Sequence, residues 1–487
     1  MGQSFSVEVN PPPGKTPVPP EVIINIAREH IPSMPPPLPK LMKAVGPFNY
    51  DWLRYNEDPN AYAPFAAAPR IPEPRTYHNV RGNLGWVKLT HMSRSIRNAL
   101  RTEGGEFWAA SIGRLPNATA EMLALSDLRP LDVFVDLAPW RYGGRRVMRM
   151  LTDGTIPLTR IRSLTFIDVR VNTDPNPALA PLLAQMTALK SLDIYAALSE
   201  QGRGRVGPPP AIIPFPIPNF VISARPIKVS FTNFVARVNN ITHLSIAQTT
   251  LGKHSPSWTV TRDELLDVLF LSHQTLETLY LHVELPGEVR AHARDPAFAT
   301  LPARIHFLRL TRVHFGDFSE KGYNFSLVHD FSKHMMFRPD ATIVIHGLCA
   351  MEGHLLSTDN ISQFFGKGGL PPATFCVIDA AHVDPKSNAD HDNWPSIRVH
   401  YSTSPTNTGL TFIISALTST YRDIALHIDH LVDVAANFSP GGISLYAPHL
   451  SMPPHFRRLR ARMVFSEEML PDHTKKYVWH SQPYSAE

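Results

Sequence analysis

Two stretches of the sequence bring metal-ligating residue types close together. His427-Ile428-Asp429-His430 sets two imidazoles beside a carboxylate, and His382, Asp384, Asp390, His391 and Asp392 form a second group. A zinc site needs three or four such groups converging on one point. On a strand His427 and Asp429 share a face while His430 points the other way. The second group surrounds Pro385-Lys386-Ser387-Asn388, which reads as a surface loop. With 23 histidines in the chain such groups arise from composition, so both read as solvated segments and no metal site is expected.

Other reactive patterns fail on context. Gly14-Lys15-Thr16 has the ending of a phosphate-binding loop, but the first glycine of that motif would fall at Val9, prolines surround it, and no strand precedes it. No G-x-S-x-G occurs, and no G-x-G-x-x-G immediately follows a strand. The two cysteines, Cys349 and Cys376, exclude a disulfide framework and a cysteine-built zinc site. Their apolar settings predict buried structural thiols. His91 reads as a packing histidine within a helix. Arg94, Arg97 and Arg101 read either as a partner-facing or as a solvated helix face. The pattern assigns no catalytic residue and no cofactor, and an enzyme is not expected.

Proline is the compositional outlier, at 47 of 487 residues, about twice the usual ~5%. Hydrophobic residues make up 43%, enough for a sizeable core. No apolar run approaches the ~18 residues of a membrane helix, and no basic start leads into an apolar stretch. The net charge of +5 is spread along the chain and does not point to nucleic acid as a partner. Two cysteines and no leader predict a reducing setting, cytoplasmic or nuclear.

The elements that must position any site divide the chain. Residues 1–17 read as a disordered proline-rich tail, whose Met1-Gly2-Gln3-Ser4-Phe5-Ser6 fits the pattern for myristoylation of Gly2 and weak membrane anchoring. A short amphipathic helix is expected from Pro20 to Ile31, with Val22, Ile23, Ile26 and Ala27 on one face. Residues 32–83 form a proline-rich insert. A single helix follows over Gly85–Arg101, and Asn117 is placed to cap another. Then a repeat begins. Ile161-x-x-Leu164-x-Phe166 recurs as Leu189-x-x-Leu192-x-Ile194, Ile241-x-x-Leu244-x-Ile246, Leu276-x-x-Leu279-x-Leu281 and Ile305-x-x-Leu308-x-Leu310, the central leucines spaced by 28, 52, 35 and 29 residues. The longest gap predicts a hidden strand at Ile227–Phe231.

Helical returns are expected at Pro177–Met186 and Arg262–Ser272. Each unit offers an apolar strand face that only a stacked neighbour can bury. This is the logic of leucine-rich repeats, though Thr249, Glu284 and Val313 stand where their asparagine is usual, so no asparagine ladder is available. Further strands are expected at Thr342–Ile345, Phe375–Ile378, Ile397–Tyr401, Leu410–Ile414, Ile424–Ile428, Ile443–Tyr446 and Arg460–Phe465. The tail 470–487 looks weakly ordered. The fold class is α/β, an irregular leucine-rich-repeat-like solenoid over 113–469 preceded by a small all-α domain over 18–112.

Val18-Pro19-Pro20-Glu21-Val22-Ile23 resembles the L-P-x-E-[IV]-[LI] opening of F-box domains. Leu84-Gly85-Trp86-Val87-Lys88-Leu89-Thr90-His91-Met92-Ser93-Arg94-Ser95-Ile96-Arg97-Asn98-Ala99-Leu100 is similar to the G-W-[IV]-x-[VL]-[TS]-H-[VM]-[CS]-R-x-W-R-x-x-A segment of F-box-like proteins from mushroom-forming fungi, and Glu106-Phe107-Trp108 to the P-x-L-W step after it. The resemblance implies a non-enzymatic adaptor of a Skp–cullin–F-box ubiquitin ligase. Val18, Pro19, Pro20, Ile23 and Leu89 would dock on the Skp linker protein, Trp86, Ile96 and Trp108 would pack the helices, and the repeats would bind an unknown target protein. Ile96, where the family has tryptophan, and the insert 32–83 leave a second reading open: a repeat-type interaction scaffold whose degenerate F-box no longer recruits the ligase.

Overall fold

The computed structural model describes residues 18–30, 85–136, 142–170, 176–197, 227–232, 235, 238–247, 262–282, 304–316, 331–349, 361–379, 396–402, 409–416, 431, 434–435, 437–438, 442–446, 463–469 and 475–481. The tail 1–17 with Gly2, the insert 32–83, the strand expected at Ile424–Ile428 and both histidine–aspartate groups lie outside the described residues.

The chain is a mixed α/β protein built on one large, mostly parallel sheet. Its strands are β1 (Leu131–Asp136), β2 (Ile161–Arg170), β3 (Ser191–Ala197), β4 (Ile227–Thr232), β5 (Ile241–Ala247) and β6 (Thr278–His282). A two-residue β7 (Ile305–His306) precedes β8 (Arg312–Gly316), and β9 (Met335–Met336) precedes β10 (Thr342–Cys349). β11 (Phe375–Asp379), β12 (Ser396–Ser402), β13 (Gly409–Ala416) and β14 (Gly442–Tyr446) complete it. The 12-stranded order is β1-β2-β3-β4-β5-β6-β8-β10-β13-β12-β11-β14. All neighbours are parallel except where β12 runs antiparallel between β13 and β11.

The register explains the repeat. One residue from each strand forms an unbroken row: Val133, Leu164, Leu192, Val229, Leu244, Leu279, Val313, Ile343, Leu410, Tyr401, Cys376 and Ile443. Every member is 2% exposed or less. A second row two residues on carries Val135, Phe166, Ile194, Phe231, Ile246, Leu281, Phe315, Ile345, Phe412, Val399 and Ile378. Alternation along a strand puts both rows on one face, and each fully buried side chain contributes about 1.5–3 kcal/mol. The return helices are α5 (Tyr142–Thr152), α6 (Asn176–Gln185) and α7 (Arg262–Ser272). Val147, Leu151, Leu182, Leu183, Leu265 and Leu269 from them join the same core.

One repeat is misplaced by its motif. The strand expected around Leu308 is not in the sheet: Leu308 is 61% exposed, and β8 begins at Arg312 with Val313 in the core row. Val313, aligned by sequence with the missing asparagine, is therefore a core residue. Ile305 instead enters a second, narrow ladder, in which Ile305 N donates to His334 O at 2.8 Å, Phe307 N to Met336 O at 3.1 Å and Phe337 N to Gly368 O at 2.8 Å.

Side-chain hydroxyls tie neighbouring strand units together. Ser272 Oγ donates to Val238 O at 3.0 Å, Thr275 Oγ1 to Ile241 O at 2.9 Å and Thr311 Oγ1 to Glu277 O at 3.3 Å. Each bridges a sequence separation of 34 residues, close to the 35-residue spacing of Leu244 and Leu279.

Beyond Leu470, where the sequence suggests weak order, β16 (Lys475–Ser481) pairs antiparallel with β15 (Met463–Met469).

Candidate docking site

The N-terminal helices close the β1 edge. Helix α1 (Pro20–His30) starts as its sequence dictates. Pro20 occupies the first turn, where its missing N–H costs nothing, and the carbonyl of Pro19 accepts from Val22 N and Ile23 N at 3.1 and 3.3 Å. Glu21 lies in the first turn and favours the positive helix end.

The single helix expected over Gly85–Arg101 is broken in two. A 3-10 turn covers Gly85–His91, and α2 (Arg94–Thr102) begins after Ser93. Ser93 is extended, at φ −153° and ψ 159°, and its Oγ accepts from Ile96 N at 3.1 Å. Serine at this position stops the preceding helix and caps the next one. Asn117 does not cap as expected. It lies exposed in a 3-10 turn, Pro116–Ala118, and α4 (Thr119–Leu125) has Ala118 at its cap with no side-chain bond. Between them, α3 (Gly105–Ala109) is short and mostly buried.

Directional bonds lock these pieces. Trp108 Nε1 donates to Leu100 O at 2.7 Å, and Arg97 Nε to Thr90 O at 2.7 Å. Arg28 Nε pairs with Glu106 Oε1 at 2.8 Å, and an Arg101 guanidinium N with Glu121 Oε1 at 2.6 Å. Exposed pairs of this kind are worth ~1 kcal/mol at most, so they orient the helices and the apolar contacts hold them. The cap is continuous with the sheet: Ile112, fully buried, bridges Val133, and Phe134 N donates to Ile112 O at 2.8 Å. Gly113 permits this approach. Its φ is +81°, and a Cβ there would stand 2.0 Å from Phe134 O.

The residues singled out from sequence fall in three environments. Val18, Pro19 and Pro20 are exposed, Ile23 and Leu89 are half-buried, and Leu89 packs against the core. Ile96 is half-buried against the same core, and Trp108 is buried. Trp86 lies in the 3-10 turn. His91, expected to pack inside a helix, is exposed. Arg97 and Arg101 bond within the cap, as above. Cys376 is buried beside Tyr401, its neighbour in register, and burial followed by the thiol pushes the Tyr401 hydroxyl well above its ordinary range. Cys349 ends β10. Among the described residues no three or more metal-ligating side chains converge, and no helix is long and apolar enough to cross a membrane.

Helix α1 is turned differently from the expected amphipathic face. Ile24 and Ala27, 3% and 4% exposed, are its anchors in the core. Val22 and Ile26, expected on that same buried face, are 43% and 53% exposed, in line with Val18 at 51%. Val22 and Ile26, four residues apart, share one side of the helix, and Val18 lies in the chain that leads into it. The helix is thus apolar on two opposite sides, one occupied by its own domain and one open. That signal is present in Val22-Ile23-Ile24 followed by Ile26-Ala27, a run too apolar for a helix with one buried stripe.

A groove of about 560 Å³ lies along a third side of α1. It is lined by Glu21, Ile24 and Arg28 from α1, by Arg101 and Glu103 around the end of α2, and by Asp127 and Arg129 beyond the end of α4. Asp127 holds a positive φ of 49°, which turns the chain and leaves the next residue, Leu128, 83% exposed.

On the other face of the sheet, Thr165 and Asp193 sit side by side on β2 and β3, 2% and 8% exposed. Thr165 Oγ1 is 3.4 Å from Asp193 Oδ2, and Asp193 Oδ1 has no hydrogen-bond partner. Burial pushes the Asp193 carboxyl up to about 7, against a smaller lowering by the Thr165 bond.

No protein-family model matches the chain, and no curated protein or solved structure does.

Proposed function

We propose that the protein is a non-enzymatic recognition adaptor: α1 docks on a Skp-type linker joined to a cullin ubiquitin ligase, and the strand array, read as an irregular leucine-rich-repeat-like solenoid, holds a target protein. The observation that carries this reading is the open apolar side of α1, Val22 and Ile26, with exposed Val18 just before it, on a helix whose opposite side is fixed by Ile24 and Ala27. A helix anchored in this way presents its apolar groups with little ordering cost left for binding. The unbroken core rows support the repeat reading, because each strand buries its face only by pairing with the next. The adaptor would add proximity and no bond chemistry of its own.

The exposures shift the docking set within this reading. Val22 and Ile26 replace the half-buried Ile23 and Leu89 as the principal contacts, alongside Val18, Pro19 and Pro20. The inward packing of Leu89 favours the second reading, a scaffold that no longer recruits the ligase, because it withdraws one docking residue of the family pattern. Purification of the tagged protein from its native cells separates the two. Co-purification of a Skp linker and a cullin, lost in Val22→Asp/Ile26→Asp, supports the adaptor. A folded protein that brings down neither is a scaffold.

A further inference from the structure

We propose that the groove beside α1 receives a helical segment of a partner protein that carries lysine or arginine along the edge of an apolar face. The proposal rests on the docking reading of α1 and adds the partner's charge and shape to it.

The argument is one of unspent charge. Six ionisable side chains line the groove, three acidic and three basic: Glu21, Glu103, Asp127, Arg28, Arg101 and Arg129. Arg28 is bonded to Glu106 and Arg101 to Glu121, and neither of these two carboxylates lines the groove. Glu21, Glu103 and Asp127 form no ion pair among the described residues, and Arg129 is the one lining guanidinium left to balance them. The groove therefore presents a surplus of carboxylate to whatever enters it.

Exposed apolar residues neighbour the lining in sequence on both sides. Val22 and Ile26 are exposed on α1 within one turn of the lining residue Asn25, and Leu128 is exposed between the lining residues Asp127 and Arg129 in sequence. Exposed apolar side chains beside a groove with unpaired carboxylates complement an amphipathic helix whose basic residues border its apolar stripe, the helix-in-groove mode of recognition. Charge complementarity here selects the partner, and the apolar contact supplies the affinity.

Two designed amphipathic peptides with identical leucine faces, one edged with lysine and one with glutamate, test this on the full chain by fluorescence anisotropy. The lysine peptide should bind about tenfold more tightly, the scale of a few exposed ion pairs, and the gap should narrow at high salt. Glu103→Lys with Asp127→Asn should erase the preference. Lysine suits the C-terminal end of α2, where Glu103 sits, and asparagine tolerates the positive φ at 127, so circular dichroism should be unchanged. Equal affinity for both peptides, binding of neither, or a lysine preference that survives the charge variant would overturn the proposal. Lysine preference without a co-purifying linker and cullin keeps the groove and removes the ligase reading; linker and cullin without the preference does the reverse.

Discussion

Thr165 and Asp193 face each other across β2 and β3 through one long bond, 3.4 Å from hydroxyl to carboxyl, with both side chains buried. The carboxyl titrates at about 7 in the fold because burial disfavours its charge, against ~3.9 in an unfolded chain. The folded state therefore binds the extra proton, and stability falls as pH rises from about 4 to about 7, then levels off. Unfolding of Asp193→Asn, followed by urea across this range, should show a flatter profile and greater stability than the parent at pH 8, by on the order of a few kcal/mol. A profile parallel to the parent's would mean that the carboxylate is stabilised in place.

Ser272 and Val238 make the buried tie between successive strand units. Ser272→Ala leaves the Val238 carbonyl without this donor, which costs about 1–3 kcal/mol. Thr275→Val removes a tie at a half-buried position and should cost less. The urea midpoint should fall in that order with an unchanged slope.

Leu308 and Val313 show what the sequence reveals and what it hides. Rows of alternating apolar residues are local, so β2, β3, β5 and β6 are legible from four motif copies, and α6 and α7, though not α5, from their spacing. Ile305-x-x-Leu308-x-Leu310 matches equally well, yet strand pairing is decided by which residues continue the neighbour's register, and Val313 continues that of Leu279. Leu308→Ser should therefore change stability by less than about 0.5 kcal/mol, whereas Val313→Ala should cost about 2 kcal/mol. The same limit governs the site. Pro19-Pro20 announces the start of α1, but which of its apolar sides turns inward depends on Leu100, Phe107 and Trp108, distant in sequence and members of the same core as Ile24.

Ser93 marks the break between the 3-10 turn and α2. Ser93→Ala removes the bond from Ile96 N and should lower the stability of the cap by about 1 kcal/mol. Hydrogen exchange should locate the loss in the first turn of α2.

Ile24 and Val22, two residues apart on α1, should respond oppositely to the same substitution. Ile24→Asp buries a carboxylate in the apolar contact that holds α1 and should cost several kcal/mol or ionise only by expelling the helix. Val22→Asp adds a charge on the open side, where solvent already reaches it, and should leave stability within about 0.5 kcal/mol of the parent. If α1 is a docking helix, both variants lose the linker, but only Ile24→Asp also loses melting temperature. A Val22→Asp protein that melts well below the parent would place Val22 in the cap's own packing, and the open side of α1 would then belong to the fold.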